Sequence, residues 1–221
     1  MSIVERRQRQ KLETRERMLD ACRELLLTEG FHGLSMRKLA AKIGYSPTAI
    51  YFHFPDKEAL LGELVEREFM KFRRSFDQAG QPGLDPIERL RRMGMIYVDF
   101  GLEQTSAYKF LFMNTQIEQF PKIGLIEHGN PAQDCYAYLR ATVAEGLAAG
   151  RFRSELTSAD QIAQLFFSGT HGVVSLHLAR GKDPWVAWCP VHETARLMID
   201  AIIRGLTQDA PQSAPPEESL P

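Results

Sequence analysis

Between Ser35 and Lys57 the sequence gathers side chains suited to gripping a polyanion. Ser35, Ser46, Thr48 and Tyr51 carry hydroxyls, Arg37 a guanidinium, His53 an imidazole and Lys57 an ammonium. Such groups are the usual donors to the phosphates of duplex DNA, where they fix position and register without reading sequence. Tyr45, Ser46 and Thr48 cluster at the start of one short segment, the end of a recognition helix that meets base edges in the major groove. Thr48 offers a hydroxyl to a base edge. Because Pro47 has no amide proton, the N–H groups of Thr48 and Ala49 are expected to face outward, where the helix dipole suits a phosphate oxygen.

These residues need helices to hold them. Residues 15–29 place Met18, Cys22, Leu25 and Leu26 on one face, and Gly30 follows as a stop. Ser35 caps a second helix with Met36, Leu39, Ala40 and Ile43 at offsets of 0, 3, 4 and 7, closed by Gly44. Ser46 caps a third, Pro47 takes its first position, and Pro55 ends it within about two turns. A fourth starts at Asp56. Two capped helices joined through Gly44–Tyr45 make a helix-turn-helix pattern. On spacing alone two readings stay open: a DNA-binding head, or an ordinary all-helical corner with Tyr51 or Phe52 in its core.

Beyond this point AGQPGLDP at 79–86 breaks the chain. Helices are expected at about 86–102, 106–119, 131–149, 158–180 (capped by Ser158 or Thr157) and 191–206. The tail from 208, rich in Pro, Ser and acid, reads as disordered. With no β-branched alternation anywhere, the class is all-α with about nine helices: a three-helix head at 15–60 after a basic extension at 1–14, and a helical body at 61–207.

Composition sets the outer limits. At 44% apolar and 25% charged residues the chain is an ordinary globular one, and no apolar run reaches the roughly 18 residues of a membrane span. The first residues lack the apolar core of a secretory signal, and Cys22, Cys135 and Cys189 form no CxxC pair, so a reducing cytoplasm is expected. Net charge is −1, yet residues 1–60 hold eleven Lys/Arg against eight Asp/Glu, a basic head on an acidic body. No nucleophile elbow, dinucleotide glycine motif, P-loop or zinc-protease motif occurs, and His171 and His177 lie six apart, off a shared helix face. An enzyme, a metal site and a cofactor are therefore not expected. A purely structural helical adaptor would not need a basic head with an ordered recognition helix.

The stretch from Phe31 to Leu60, FHGLSMRKLAAKIGYSPTAIYFHFPDKEAL, resembles the N-terminal signature of the TetR family of bacterial regulators, matching it at Gly30, Phe31, Ser35, Leu39, Ala40, Ile43, Gly44, Ser46, Ile50, Tyr51, His53, Phe54, Lys57 and Leu60. The resemblance implies phosphate contacts for Ser35, Arg37, Ser46, Thr48, Tyr51, His53 and Lys57, variable base contacts for Tyr45, Pro47, Thr48 and Ala49, and a packed head built on Leu39, Ala40, Ile43, Ile50 and Phe54. It implies a cytoplasmic repressor that binds a palindromic operator in double-stranded DNA and is released by a small hydrophobic effector. An activator is the alternative within the class. For the extension, with Arg6, Arg7, Arg9 and Lys11, two arrangements are open: along a phosphate backbone or minor groove, or a disordered arm.

The resemblance further implies a C-terminal body that dimerises through helices eight and nine. Helix eight carries the small residues Ser168, Gly169, Gly172 and Ser175, which permit close approach by another helix. Tyr97, Phe100, Phe110, Met113, Phe167 and His171 lie on helices that surround the family's effector cavity. HGVVSLHLA is similar to the WHG type of C-terminal domain, with Thr170 where that type has Trp.

Overall fold

In the computed structural model, which describes residues 2–80 and 83–207, the first helix already departs from expectation. α1 runs Ile3–Gly33, twelve residues longer at its start than the periodic core pattern indicates. Its start is a capping box: Ser2 Oγ accepts from the Glu5 amide at 3.2 Å, and Glu5 Oε2 accepts from the Ser2 amide at 2.7 Å. Gly30 breaks the helix with φ 71°, ψ −179°, a conformation that favours glycine, and one further turn follows.

α2 (Met36–Ile43), α3 (Pro47–His53) and α4 (Lys57–Ser75) follow, each where its cap places it. Ser35, Ser46 and Asp56 accept from the amides of Lys38, Ala49 and Ala59 respectively. Gly44 ends α2 in the left-handed region, φ 72°.

After α4 come a 3-10 turn (Phe76–Gln78), α5 (Pro86–Glu103), α6 (Thr105–Phe112), a second 3-10 turn (Ile117–Gln119), α7 (Cys135–Ala148), α8 (Ala159–Arg180) and α9 (Val191–Leu206). Two expected helices are shorter than the periodicity indicates. The one expected at 106–119 stops at Phe112, because the Asn114 side chain captures the Gln116 amide at 3.0 Å and turns the chain. The one expected from 131 begins at Cys135, because Asn130 caps a turn over 130–134 and Asp134 then accepts from the Tyr136 and Ala137 amides. Among the described residues there is no strand, only an isolated bridge between Phe152 and Thr207. The tail expected to be disordered, 208–221, lies outside the described residues.

The chain forms two compact units. The first holds α1–α4 to Arg73 together with 104–128. Its core takes in Met18, Cys22, Leu25, Met36, Leu39, Ala40, Ile50, Phe54 and Leu60 from the face read in the sequence and adds Leu19 and Leu61, while Leu26 and Ile43, expected on that face, are only half-buried. Segment 104–128 adds an aromatic layer to α4: Phe112 meets Phe69 and Phe72 edge-on at 5.7 Å. The loop after α6 is held by Glu66, whose buried carboxylate accepts from the amides of Ile123 (2.7 Å), Gly124 (3.3 Å) and Leu125 (2.6 Å). Gly62 makes this approach possible, since a Cβ there would lie 2.2 Å from the Pro121 carbonyl oxygen.

The second unit packs α5, α7, α8 and α9 around Leu90, Met93, Val98, Val143, Phe166 and Ile199. α5 meets α8 and α9 closely at Gly94, where a Cβ would reach Ile199 and Phe166 within 3 Å. An ion pair between Arg91 and Asp200 (2.9 Å) and a hydrogen bond between His192 Nε2 and Asp99 (3.1 Å) tie α5 to α9 at the surface.

Candidate nucleic-acid interface

α3 is short, and both of its ends are fixed from outside. At its start Ser46 caps the helix and Pro47 fills the first position. At its end Arg15 of α1 donates to the His53 carbonyl at 2.6 Å, lies 4.0 Å above the Phe54 ring, and pairs with Glu63 of α4. Glu63 is almost fully buried and also pairs with Arg67 at 2.7 Å, which in turn pairs with Glu16. A buried carboxylate shared by two guanidiniums thus joins α1, α3 and α4, with each charge partnered.

With its ends pinned, α3 turns Ile50 inward and leaves Thr48, Tyr51 and Phe52 exposed. Tyr51 is 51% exposed and Phe52 75%, so neither is a core aromatic. Pro47 is exposed as well, Tyr45 and Ala49 are half-buried, and Tyr45 stacks under the Arg17 guanidinium at 5.5 Å. The outward amides expected after Pro47 reduce to one. The Ala49 N–H is taken by Ser46, by Oγ at 3.2 Å and by the carbonyl at 3.0 Å, because the capping hydroxyl serves the third helical amide.

The remaining phosphate candidates divide by surroundings. Arg37 is exposed, and Ser35 is half-buried as the α2 cap. Lys57 is half-buried, donating to the Phe31 carbonyl at 3.3 Å with its ammonium 4.4 Å from the Phe31 ring centre, so it ties α4 to the end of α1. His53 has its Nδ1 buried with no hydrogen-bond partner among the described residues. Burial first, and then the charges of Arg15 and Lys11, hold the imidazole below its usual range, so it is neutral at pH 7. Sequence reasoning named Lys11 only as one cation of the extension, and did not find Arg15, Arg17 and Phe52 as parts of this surface. The i, i+4 spacing of Lys11 and Arg15 is a usable signal once α1 is known to start at Ile3.

In the second unit, three of the six residues proposed for an effector meet: the Tyr97 hydroxyl lies 3.1 Å from His171 Nδ1, and Phe167 packs against both rings. Phe100 is buried in the same unit. Phe110 and Met113 belong to the first unit, where Phe110 stacks on Phe120 and Met113 is 41% exposed. Burial lowers the His171 pKa as well. Thr170 is buried, its hydroxyl bonded to the Phe166 and Phe167 carbonyls. Among the described residues no three His, Cys, Asp or Glu side chains are grouped to hold a metal, and no helix is long and apolar enough to cross a membrane.

Comparison with known proteins places this geometry. Residues 18–64 match the family profile described as bacterial regulatory proteins, tetR family, and residues 90–202, just over half of the chain, match the tetracyclin repressor-like C-terminal domain. The HTH-type transcriptional regulator UidR of Escherichia coli K12 is 34% identical over 94 residues, covering 41% of this chain and 40% of that protein. The HTH-type transcriptional activator FasR of Mycolicibacterium smegmatis is 26% identical over 107 residues, covering 48% of this chain and 49% of that protein. The chain therefore spans less than half the length of these curated relatives. A solved structure of a protein of unknown function from Rhodococcus sp. RHA1 superposes with a TM-score of 0.69 at 24% identity, covering 88% of this chain and 95% of that one. With both halves matched and the helix-turn-helix geometry in place, the chain belongs to the TetR family of bacterial regulatory proteins.

Proposed function

We propose that the chain is a homodimeric, sequence-specific repressor that binds a palindromic operator and is released by a small hydrophobic effector. The observation that carries the reading is α3, a helix fixed at both ends that presents Thr48, Tyr51 and Phe52 to solvent. In this reading Tyr51, Arg37, Ser35, Ser46 and the neutral His53 hold phosphates, while Tyr45, Pro47, Thr48 and Ala49 face base edges. With Pro47 and Ala49 apolar, discrimination rests on Tyr45, Thr48, a thymine methyl and DNA shape. Lys57 adds a phosphate contact with the donors that Phe31 leaves over.

Dimerisation through α8 and α9 is supported by an uncovered stripe on each. On α8, Leu165, Ser168, Gly172, Leu176 and Ala179 are exposed, and a Cβ at Gly172 would meet nothing within 4 Å. On α9, Thr194, Leu197, Ala201 and Gly205 are exposed, Leu197 by 73%. Gly169 is already used inside the chain, against Met198 and Ile202 of α9, which leaves Gly172 as the glycine of α8 open to a second copy. For the effector, the Tyr97–His171 pair beside Phe167 offers an aromatic wall with one polar end, and binding would shift the population of head arrangements.

Selection of bound duplexes from a random pool by the purified chain tests the reading. The expected product is a two-fold site with half-sites about one helical turn, ~34–36 Å, or somewhat more apart. Recovery of no common sequence would overturn it. A reporter driven from the selected site separates repression from activation, the reading favoured by the match to FasR.

A further inference from the structure

The first turns of α1 carry charge of which the head uses only part. Arg7, Lys11 and Arg15 are spaced i, i+4, i+8 and form one stripe along the helix. Arg15, at its base, is bonded to the end of α3. Lys11, one turn out, lies 5.5 Å from the centre of the exposed Phe52 ring. Arg7 stands one turn further along the same face. Glu5, Arg9 and Glu13 share the same spacing offset by two residues, which puts them on the opposite side, and Arg9 and Glu13 pair there at 2.8 Å. The acids are thus segregated from the stripe, and Arg7 and Lys11 have no ion-pair partner among the described residues.

The helix that carries the stripe is built to stand alone. The Ser2–Glu5 capping box closes its first turn, and residues 2–13 are all exposed. Its twelve residues before Arg15 project about 18 Å, which is roughly five base pairs of duplex. Because α1 is continuous into the head core at Met18, the stripe is held at a fixed angle to α3. A row of unpaired cations on the side of the recognition helix is complementary to a phosphate backbone running past it.

We infer that the first three turns of α1 form a second DNA-contacting element, a rigid helical arm whose Arg7 and Lys11 hold phosphates flanking the site read by α3. The inference rests on the DNA-binding reading above. The test measures binding of the full chain to its selected duplex across a salt series, for the wild type, the double variant Arg7→Gln/Lys11→Gln, the opposite-face variant Arg9→Gln and the head variant Tyr51→Ala. Glutamine keeps helix propensity, and circular dichroism confirms that the arm stays helical. The expected result is a plot of log K against log[salt] shallower by about 2 per protomer for the double variant, about 0.9 for each phosphate no longer neutralised, with nuclease protection shortened at both ends of the site. Arg9→Gln should leave the slope and the footprint unchanged. A double variant with wild-type slope and footprint, while Tyr51→Ala weakens binding, would overturn the arm alone. Absence of salt-dependent binding by the wild type would remove the DNA-binding reading and the arm with it.

Discussion

The two units hold their candidate functional groups by different physics. In the first, the residues that face solvent are positioned by named polar contacts: Arg15 on the His53 carbonyl, Ser46 on the Ala49 amide, Lys57 on the Phe31 carbonyl. In the second, Tyr97, Phe167 and His171 are placed by packing among α5 and α8, with one hydrogen bond fixing a hydroxyl against an imidazole. A surface that must match the fixed geometry of a polyanion needs polar groups at set angles. A site for an apolar ligand needs volume, which many packings provide. The head should therefore fail through single polar substitutions and the body through changes of volume.

Removal of Glu63 should have the largest effect. Glu63→Ala leaves Arg15 and Arg67 without their shared carboxylate and loosens the end of α3. The expected cost is about 2–4 kcal/mol, lowering the melting temperature in a thermal scan by roughly 5–15 °C. A loss below about 0.5 kcal/mol would show that the network is surface decoration.

Glycines give the next contrast, because here the sign of the change is informative. Gly→Ala inside a helix normally stabilises by up to ~1 kcal/mol. At Gly62 the added methyl would strike the Pro121 backbone, so Gly62→Ala should destabilise by about 1–3 kcal/mol in chemical denaturation and loosen the loop that Glu66 holds. At Gly172 the methyl would meet nothing in the same chain, so the helix itself should gain, while sedimentation should report a weaker dimer. An unweakened dimer for Gly172→Leu would remove the α8 stripe from the interface.

Acid should act on both units through their histidines. The folded state depresses His53 and His171 below the usual value of about 6.5, chiefly by burial. Above that pH both rings are neutral whether folded or unfolded. As pH falls, the unfolded chain takes up protons that the folded chain resists, so stability declines from about pH 6.5 downward. His171→Gln should flatten this acid limb of the denaturation profile, and an unchanged limb would mean that other groups carry it.

The smallest effect is chemical. Burial pushes the Cys22 thiol up to about 12, so it should resist a thiol reagent under native conditions and react only on unfolding. Exposed Cys189 should react at once, and equal rates for the two would contradict a packed head core.

Much of the head is legible in the sequence because local chemistry decides it. Ser35, Ser46 and Asp56 cap the helices that they precede, and Gly44 ends α2 as its type requires. Legibility fails where a distant partner or an unmarked continuation decides. Nothing near Glu66 in sequence announces that it will hold the amides of 123–125, and Gly62 reads as an ordinary helix residue until Pro121 lies against it. The start of α1 escapes a reading by periodicity because residues 3–14 bury almost nothing, so the hydrophobic pattern is silent about a helix that its capping box and charges sustain. For the effector residues, aromatic content cannot divide Tyr97, Phe167 and His171 from Phe110 and Met113, since all are large side chains on or beside helices and only the fold allots them to different units.

The central claim is that α3 reads DNA while its surroundings hold phosphates, and the most direct measurement is the affinity of Tyr51→Ala and Thr48→Ala for the selected duplex and for a scrambled one at matched salt. Tyr51→Ala should weaken both by a similar factor, about tenfold, and leave their ratio intact. Thr48→Ala should lower the ratio by about 5–10-fold, with little loss on the scrambled duplex. A wild-type chain with no preference between the two duplexes, or equal losses on both for Thr48→Ala, would contradict the claim that this helix reads sequence.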